Sequence, residues 1–303
     1  MTLDWALPAL RWALFADLGI VFGVPIAALV AGGRTMIRHW RETLAIAALA
    51  GIALGIFGFF VTVANMAAVA PSELNSALVL PLFTGTALGW ALAVRTIALT
   101  ACATLALLGG PARLPPLAMA GGVAVATLAW SGHAAASQGV AGWFRLGGDI
   151  VHLAGALCWV GALVLFVAML WRPLSEASGL SGQLAKALST FAFTGSVIVA
   201  LLILTGVANL LFLVPVAELP QLNHSLYGRL LLIKLAAFLM MLGLAALNRF
   251  KLVPALEQAQ HGEARLLAIS RLRLSVSLEL LAALAVLGLV AWLGTLDPMG
   301  IGN

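Results

Sequence analysis

The chain has 303 residues, of which 63% are hydrophobic and only 9% are charged. Soluble domains carry roughly 25% charged residues, so this composition excludes a water-soluble globule and leaves nothing over for a separate soluble module. The net charge of +5 comes from basic residues in short gaps between apolar runs, where they act as topology signals and not as a nucleic-acid surface.

A membrane span takes ~20 mainly apolar residues at ~1.5 Å rise each, so the chain has room for about eight. In chain order the apolar runs cover 6–31, 44–68, 86–110, 116–136, 148–170, 188–214, 228–248 and 272–296. This predicts an all-α integral membrane protein, a bundle of about eight transmembrane helices forming one polytopic domain over residues 1–303 in the lipid bilayer. Met1 to Ala9 has no basic region ahead of the first run, and that run is long enough to stay in the bilayer, so no cleavable signal peptide is expected. Gly19/Gly23 and Gly51/Gly55 mark close helix packing. The stretch from Pro71 to Thr84 reads as an outer loop or a short surface helix. Cys102 and Cys158 fall at different depths inside apolar helices, which excludes a disulfide framework.

Alternate loops collect the positive charge. Arg34, Arg38 and Arg41, then Arg113, then Arg172 and Lys186, then Arg249, Lys251, Arg265, Arg271 and Arg273 make eleven on one side. The opposite loops hold Arg145 and Arg229 alone. The positive-inside rule places the eleven in the cytoplasm and both termini in the periplasm.

Ionisable groups inside spans are costly and mark function by default. Counting ~1.5 Å per residue, Arg11, Asn65, His133, Asp149, His152, Asn209, Tyr227 and Arg229 fall in the outer third. The inner half holds Glu279, which has no obvious partner at its depth, and Asn248 at its edge. This lopsided polarity suits a cavity open to the periplasm better than a continuous pore. Asp17 and Arg95 lie ~17 and ~14 Å from the outer surface, and are expected to neutralise each other as a structural charge pair.

The fourth run ends in Trp130-Ser131-Gly132-His133, and the fifth opens with Asp149-Ile150-Val151-His152. A short loop joins them, so the two imidazoles should sit at similar depth on antiparallel neighbours. His39, His224 and His261 lie in loops, which leaves His133 and His152 as the span histidines. A lone span histidine is often a hydrogen-bonded strut between helices. Two at matched depth, with a carboxylate one turn behind one of them, point to a shared ligand site. Asp149, His152, Ala156 and Trp159 share one helix face, so Asp149 is expected to orient His152 through its second ring nitrogen, as carboxylates do behind metal-bound histidines. Met66 lies beside Asn65 at the same level; although a span methionine is usually core filler, a thioether joined to imidazoles suits copper, Cu(I) above all.

With those residues in view, the chain resembles the copper resistance protein D (CopD) family of bacterial inner-membrane proteins. The likeness rests on Trp130 to Ala134, His152 to Leu163, Leu226-Tyr227-Gly228-Arg229 continuing to Lys234, Asn248-Arg249-Phe250, and Ser275 to Glu279. The resemblance implies eight spans and a multi-pass protein of the inner membrane that moves or loads copper, Cu(I) or Cu(II), and is not an enzyme. It also implies a periplasmic copper-binding partner of the CopC type, and paired histidines that match His133 and His152. The sequence departs from an efficient conduit in having no Met- or His-rich outer loop and no soft-ligand ladder in its inner half.

The leading expectation is therefore copper import from a periplasmic donor through an outward-facing site of His133, His152 and Met66, with Asp149 behind His152. Two alternatives stay open. One is a b-type haem cytochrome with the same histidines as axial ligands, although helices packed ~8–10 Å apart leave little room for a macrocycle. The other is a non-transporting assembly factor that hands copper to another membrane enzyme. The sequence does not distinguish these, nor does it set the oligomeric state.

Overall fold

Residues 5–31, 39–131, 139–172, 174–213, 224–259 and 262–296 are described by a computed structural model. Every element among them is helical. Among the described residues, eight helices are long and apolar enough to cross a membrane. In chain order they are α1 (Ala6–Val30), α2 (Arg41–Ala67), α4 (Ala87–Leu108), α5 (Pro111–Trp130), α6 (Gly139–Leu170), α7 (Leu174–Leu213), α8 (Leu226–Gln258) and α9 (Glu263–Leu293). The short helix α3 (Ser76–Gly85) occupies the Pro71 to Thr84 stretch, as expected.

Local chemistry starts and stops these helices. Asn75 caps α3 by accepting the Leu78 N–H, Thr86 caps α4 by accepting from Gly89, and Ser225 caps α8 by accepting from Gly228. Several helices outrun the apolar segments that predicted them: α6 begins at Gly139, α7 at Leu174 and α9 at Glu263, while α8 runs on to Gln258. The backbone hydrogen bonds that propagate a helix do not stop where apolarity stops. The fourth span tightens after Ala126 into a 3₁₀ turn over Thr127–Ser131, and its expected end at 136 lies outside the described residues.

Two π-helical turns interrupt the bundle, Gly19–Gly23 in α1 and Asn248–Leu252 in α8. Each lies just ahead of a proline, Pro25 and Pro254. A proline ring clashes with the carbonyl four residues back, here that of Val21 or Phe250, and both residues sit inside the π turn. Widening the turn by one residue relieves the clash and keeps the helix continuous.

Helix α6 is the hub. Two thirds of its apolar window (67%) is buried, against 17% for α7 and for α8, so these two helices present broad apolar faces outward. Helices α1 and α6 approach closely where Gly19 and Gly23 face Gly161: a Cβ on Gly23 or Gly161 would strike the backbone of the other helix. This is the small-residue packing predicted for Gly19/Gly23. Fully buried Leu18, Leu44, Leu99, Leu157, Leu165, Leu170 and Leu272 fill the space around it.

Arginines close one end of the bundle. Arg41 donates to the Ala106 and Leu107 carbonyls at the end of α4, and Arg273 donates twice to the Leu170 carbonyl at the end of α6, at 3.0 and 2.6 Å. Cations on the last carbonyls of a helix satisfy its orphan acceptors and its dipole. This basic end is opposite the end where α6 begins and His152 lies.

Candidate functional site

His152 sits half-buried on α6, facing α7. Its Nδ1 is 2.8 Å from Thr205 Oγ1. The Thr205 hydroxyl donates its own hydrogen to the Leu201 carbonyl at 2.6 Å, so Oγ1 can only accept from the ring. The network therefore assigns the proton to Nδ1 and leaves the lone pair on Nε2. Gly206 lies beside the ring, where a Cβ would meet His152 Cε1 in ordinary contact at 3.5 Å.

Toward the mouth of the bundle, Asn209 Nδ2 donates to Asp149 Oδ1 at 2.6 Å. Asp149 and His152 on α6 thus face Asn209 and Thr205 on α7 as two polar rungs, each pair about one turn apart. Lys234 of α8 interacts electrostatically with both Asp149 and His152. The orienting partner expected from Asp149 is supplied at Nδ1 by Thr205 instead. Helical spacing puts Asp149 on the right face of its own helix, but the neighbouring helix offers a closer acceptor. The signal was present in the sequence as Thr205 and Asn209, a polar i, i+4 pair in an otherwise apolar run.

His133 lies outside the described residues, as does the rest of 132–138. Met66 is 68% exposed, which corrects its expected place beside the histidines. On α2 the buried face runs through Phe59 and Val63 and continues at half-buried Ala67, leaving Met66 to point outward. Helix α2 packs on α1 and α4, whereas His152 faces α7.

Asp17 and Arg95 do not form the direct pair expected of them. Buried Arg95 donates through Nε to Thr127 Oγ1 at 2.8 Å. Asp17 Oδ2 is buried against Gly51 with no hydrogen-bond partner among the described residues, while the Arg95 guanidinium passes Gly55, one turn along α2. Equal depth on two helices does not place two side chains on facing sides.

Glu279 has the partners that the sequence did not reveal. Trp159 Nε1 donates to its Oε1 at 3.0 Å and Asn248 Nδ2 to its Oε2 at 2.7 Å. This cluster joins α6, α8 and α9 deep in the bundle, roughly two turns from His152 toward the basic end. Cys102 and Cys158 are buried free thiols. Among the described residues no three of His, Cys, Asp and Glu converge, so His152 offers one ligand atom and not a complete cage.

Two family models match the chain: "Copper resistance protein D-like, N-terminal domain" over residues 1–143 and "Copper resistance protein D" over residues 185–293. "Copper resistance protein D" of Pseudomonas syringae pv. tomato is 40% identical over 309 residues, covering 96% of either chain. "Inner membrane protein YebZ" of Escherichia coli (strain K12) is 28% identical over 171 residues, 56% of this chain and 55% of that protein. "Copper transport protein CutJ" of Bacillus subtilis (strain 168) is 31% identical over 123 residues, 40% of this chain and 21% of that protein. No solved structure matches the chain.

Proposed function

Because the chain belongs to the copper resistance protein D family, we propose that it handles copper at a bacterial inner membrane, taking the ion up from a periplasmic donor. The observation that carries this reading is the Thr205–His152 hydrogen bond, which commits the Nδ1 proton and leaves the ring's lone pair on Nε2 of a half-buried histidine. A histidine held by its second nitrogen in this way can bind a metal without first losing a proton. His133, three residues after the end of α5, supplies the second imidazole in this proposal. Copper is here cargo and not a resident cofactor.

The charge distribution of the loops supports placing His152 at the periplasmic end, with both termini on that side. Asp149 then stands one turn nearer the mouth, where a carboxylate draws a cation inward. The donor in this reading is a soluble copper-binding protein of the CopC type that docks at the same end. Names of relatives agree with a membrane copper role: one is a copper transport protein and another an inner membrane protein.

Equilibrium copper binding to purified protein tests the site. His152→Ala and His133→Ala should each abolish stoichiometric binding while the bundle stays folded. Full affinity in the double variant would sink the proposal. Copper uptake into proteoliposomes then separates an importer from a non-transporting assembly factor, and a Soret band in the purified protein would favour the haem alternative.

A further inference from the structure

The carboxylate of Glu279 is 3% exposed and meets two neutral donors, the Trp159 indole and the Asn248 amide. Two buried acceptors stand beside it without a donor. Asn248 is 7% and Ser275 6% exposed, and among the described residues neither Asn248 Oδ1 nor Ser275 Oγ has a hydrogen-bond partner. Asn248 Oδ1 belongs to the amide that already touches Glu279, and Ser275 lies one turn before Glu279 on the same face of α9. Asn248 also opens the π turn of α8, a distortion that recurs at functional positions.

We propose that Glu279 is a proton-binding site that alternates between carboxylate and carboxylic acid, with Asn248 and Ser275 satisfying both forms. In the carboxylate form, Trp159 and Asn248 each donate to one oxygen, as the structure shows. When one proton from water adds to a carboxylate oxygen, the new O–H needs an acceptor. A flip of the Asn248 amide exchanges its N–H for Oδ1, and the Ser275 oxygen offers a second acceptor. Release reverses the step and returns the proton to water, so nothing is oxidised or reduced. A proton fits better than a metal ion. Both carboxylate oxygens already receive N–H hydrogens, which would repel a cation, and a proton needs no coordination sphere.

Among the described residues, the hydrogen bonds to the Glu279 carboxylate come from neutral groups, and the charged side chains of the neighbouring elements are placed as follows. On α1, Arg11 donates to the Gly294 carbonyl and Asp17 lies against Gly51. On α6, Asp149 and His152 face Asn209 and Thr205. On α8, Lys234 lies within electrostatic range of Asp149 and His152, Arg249 donates to Ala192, and Lys251 is exposed. Arg273 of α9 caps α6, ~9 Å from Glu279 along the helix. Burial and the two neutral partners therefore set the titration of Glu279.

Infrared difference spectroscopy of the copper-free protein between alkaline and acid buffer reads the site directly. A protonated-carboxyl band should appear on acidification, shift in deuterated water and vanish in Glu279→Gln. Ser275→Ala removes an acceptor for the acid and should move the transition to lower pH; Asn248→Leu should move it as well. Identical wild-type and Glu279→Gln spectra at every pH would overturn the proposal, as would a band that follows sodium or copper concentration instead of pH. If Glu279→Gln does not fold, unmoved transitions in both other variants would overturn it equally. The inference deepens the transport reading by assigning a proton to the cycle, yet the spectra contain no copper. Glu279→Gln should keep copper binding at His152, so loss of copper binding in the wild type would fail the transport reading alone.

Discussion

At the scale of single residues, Thr205 decides what His152 can do. Its hydroxyl is donated to the Leu201 carbonyl, so it accepts the His152 Nδ1 proton and holds the ring in one tautomer. Thr205→Val keeps the shape of the side chain and removes the acceptor. We expect copper affinity to fall by roughly 10–100-fold, as when other partners behind metal-bound histidines are lost, with an unchanged unfolding temperature; isothermal titration measures the first and a thermal melt the second. Because a proton and copper compete for the same Nε2 lone pair, binding should weaken as pH falls, and a copper titration across a pH series checks the sign. Glu279→Ala differs from Glu279→Gln in leaving the buried Trp159 N–H without an acceptor. Each orphaned donor costs about 1–3 kcal/mol, so the alanine variant should melt lower than the glutamine variant.

At the scale of elements, the contact between α1 and α6 brings backbone against backbone. Gly19, Gly23 and Gly161 bring two backbones together where no side chain fits. Gly161→Leu should push α6 away from α1 and destabilise the protein by at least about 1–3 kcal/mol, read as a lower melting temperature or as aggregation in detergent. Gly58→Leu makes a control, since a Cβ there meets nothing within 4 Å. The same pair of helices shows which local signals survive packing. The Gly19/Gly23 spacing announced a close approach but not its partner, because Gly161 lies far along the chain. The two prolines behave alike: each implies a clash four residues back, while the π turn that resolves it becomes visible only once the helix is built.

At the scale of the whole molecule, eleven basic residues on one set of loops against two on the other predict a single orientation. A reporter fused after Asn303 should be active in the periplasmic form, and activity of a cytoplasm-only reporter would reverse the topology. The sequence by itself determined the membrane class, the eight apolar helices and the polar residues, because length, hydropathy and charge are additive along a chain. It also singled out His152 and Glu279 as costly groups needing a reason. Only the tertiary structure decided which partners they have. Rotation of each helix about its own axis turned Met66 outward, set Arg95 on Thr127 and not on Asp17, gave His152 to Thr205, and closed Trp159 and Asn248 on Glu279. That rotation is fixed by packing against neighbours distant in sequence, and depth counted along one helix carries no information about it.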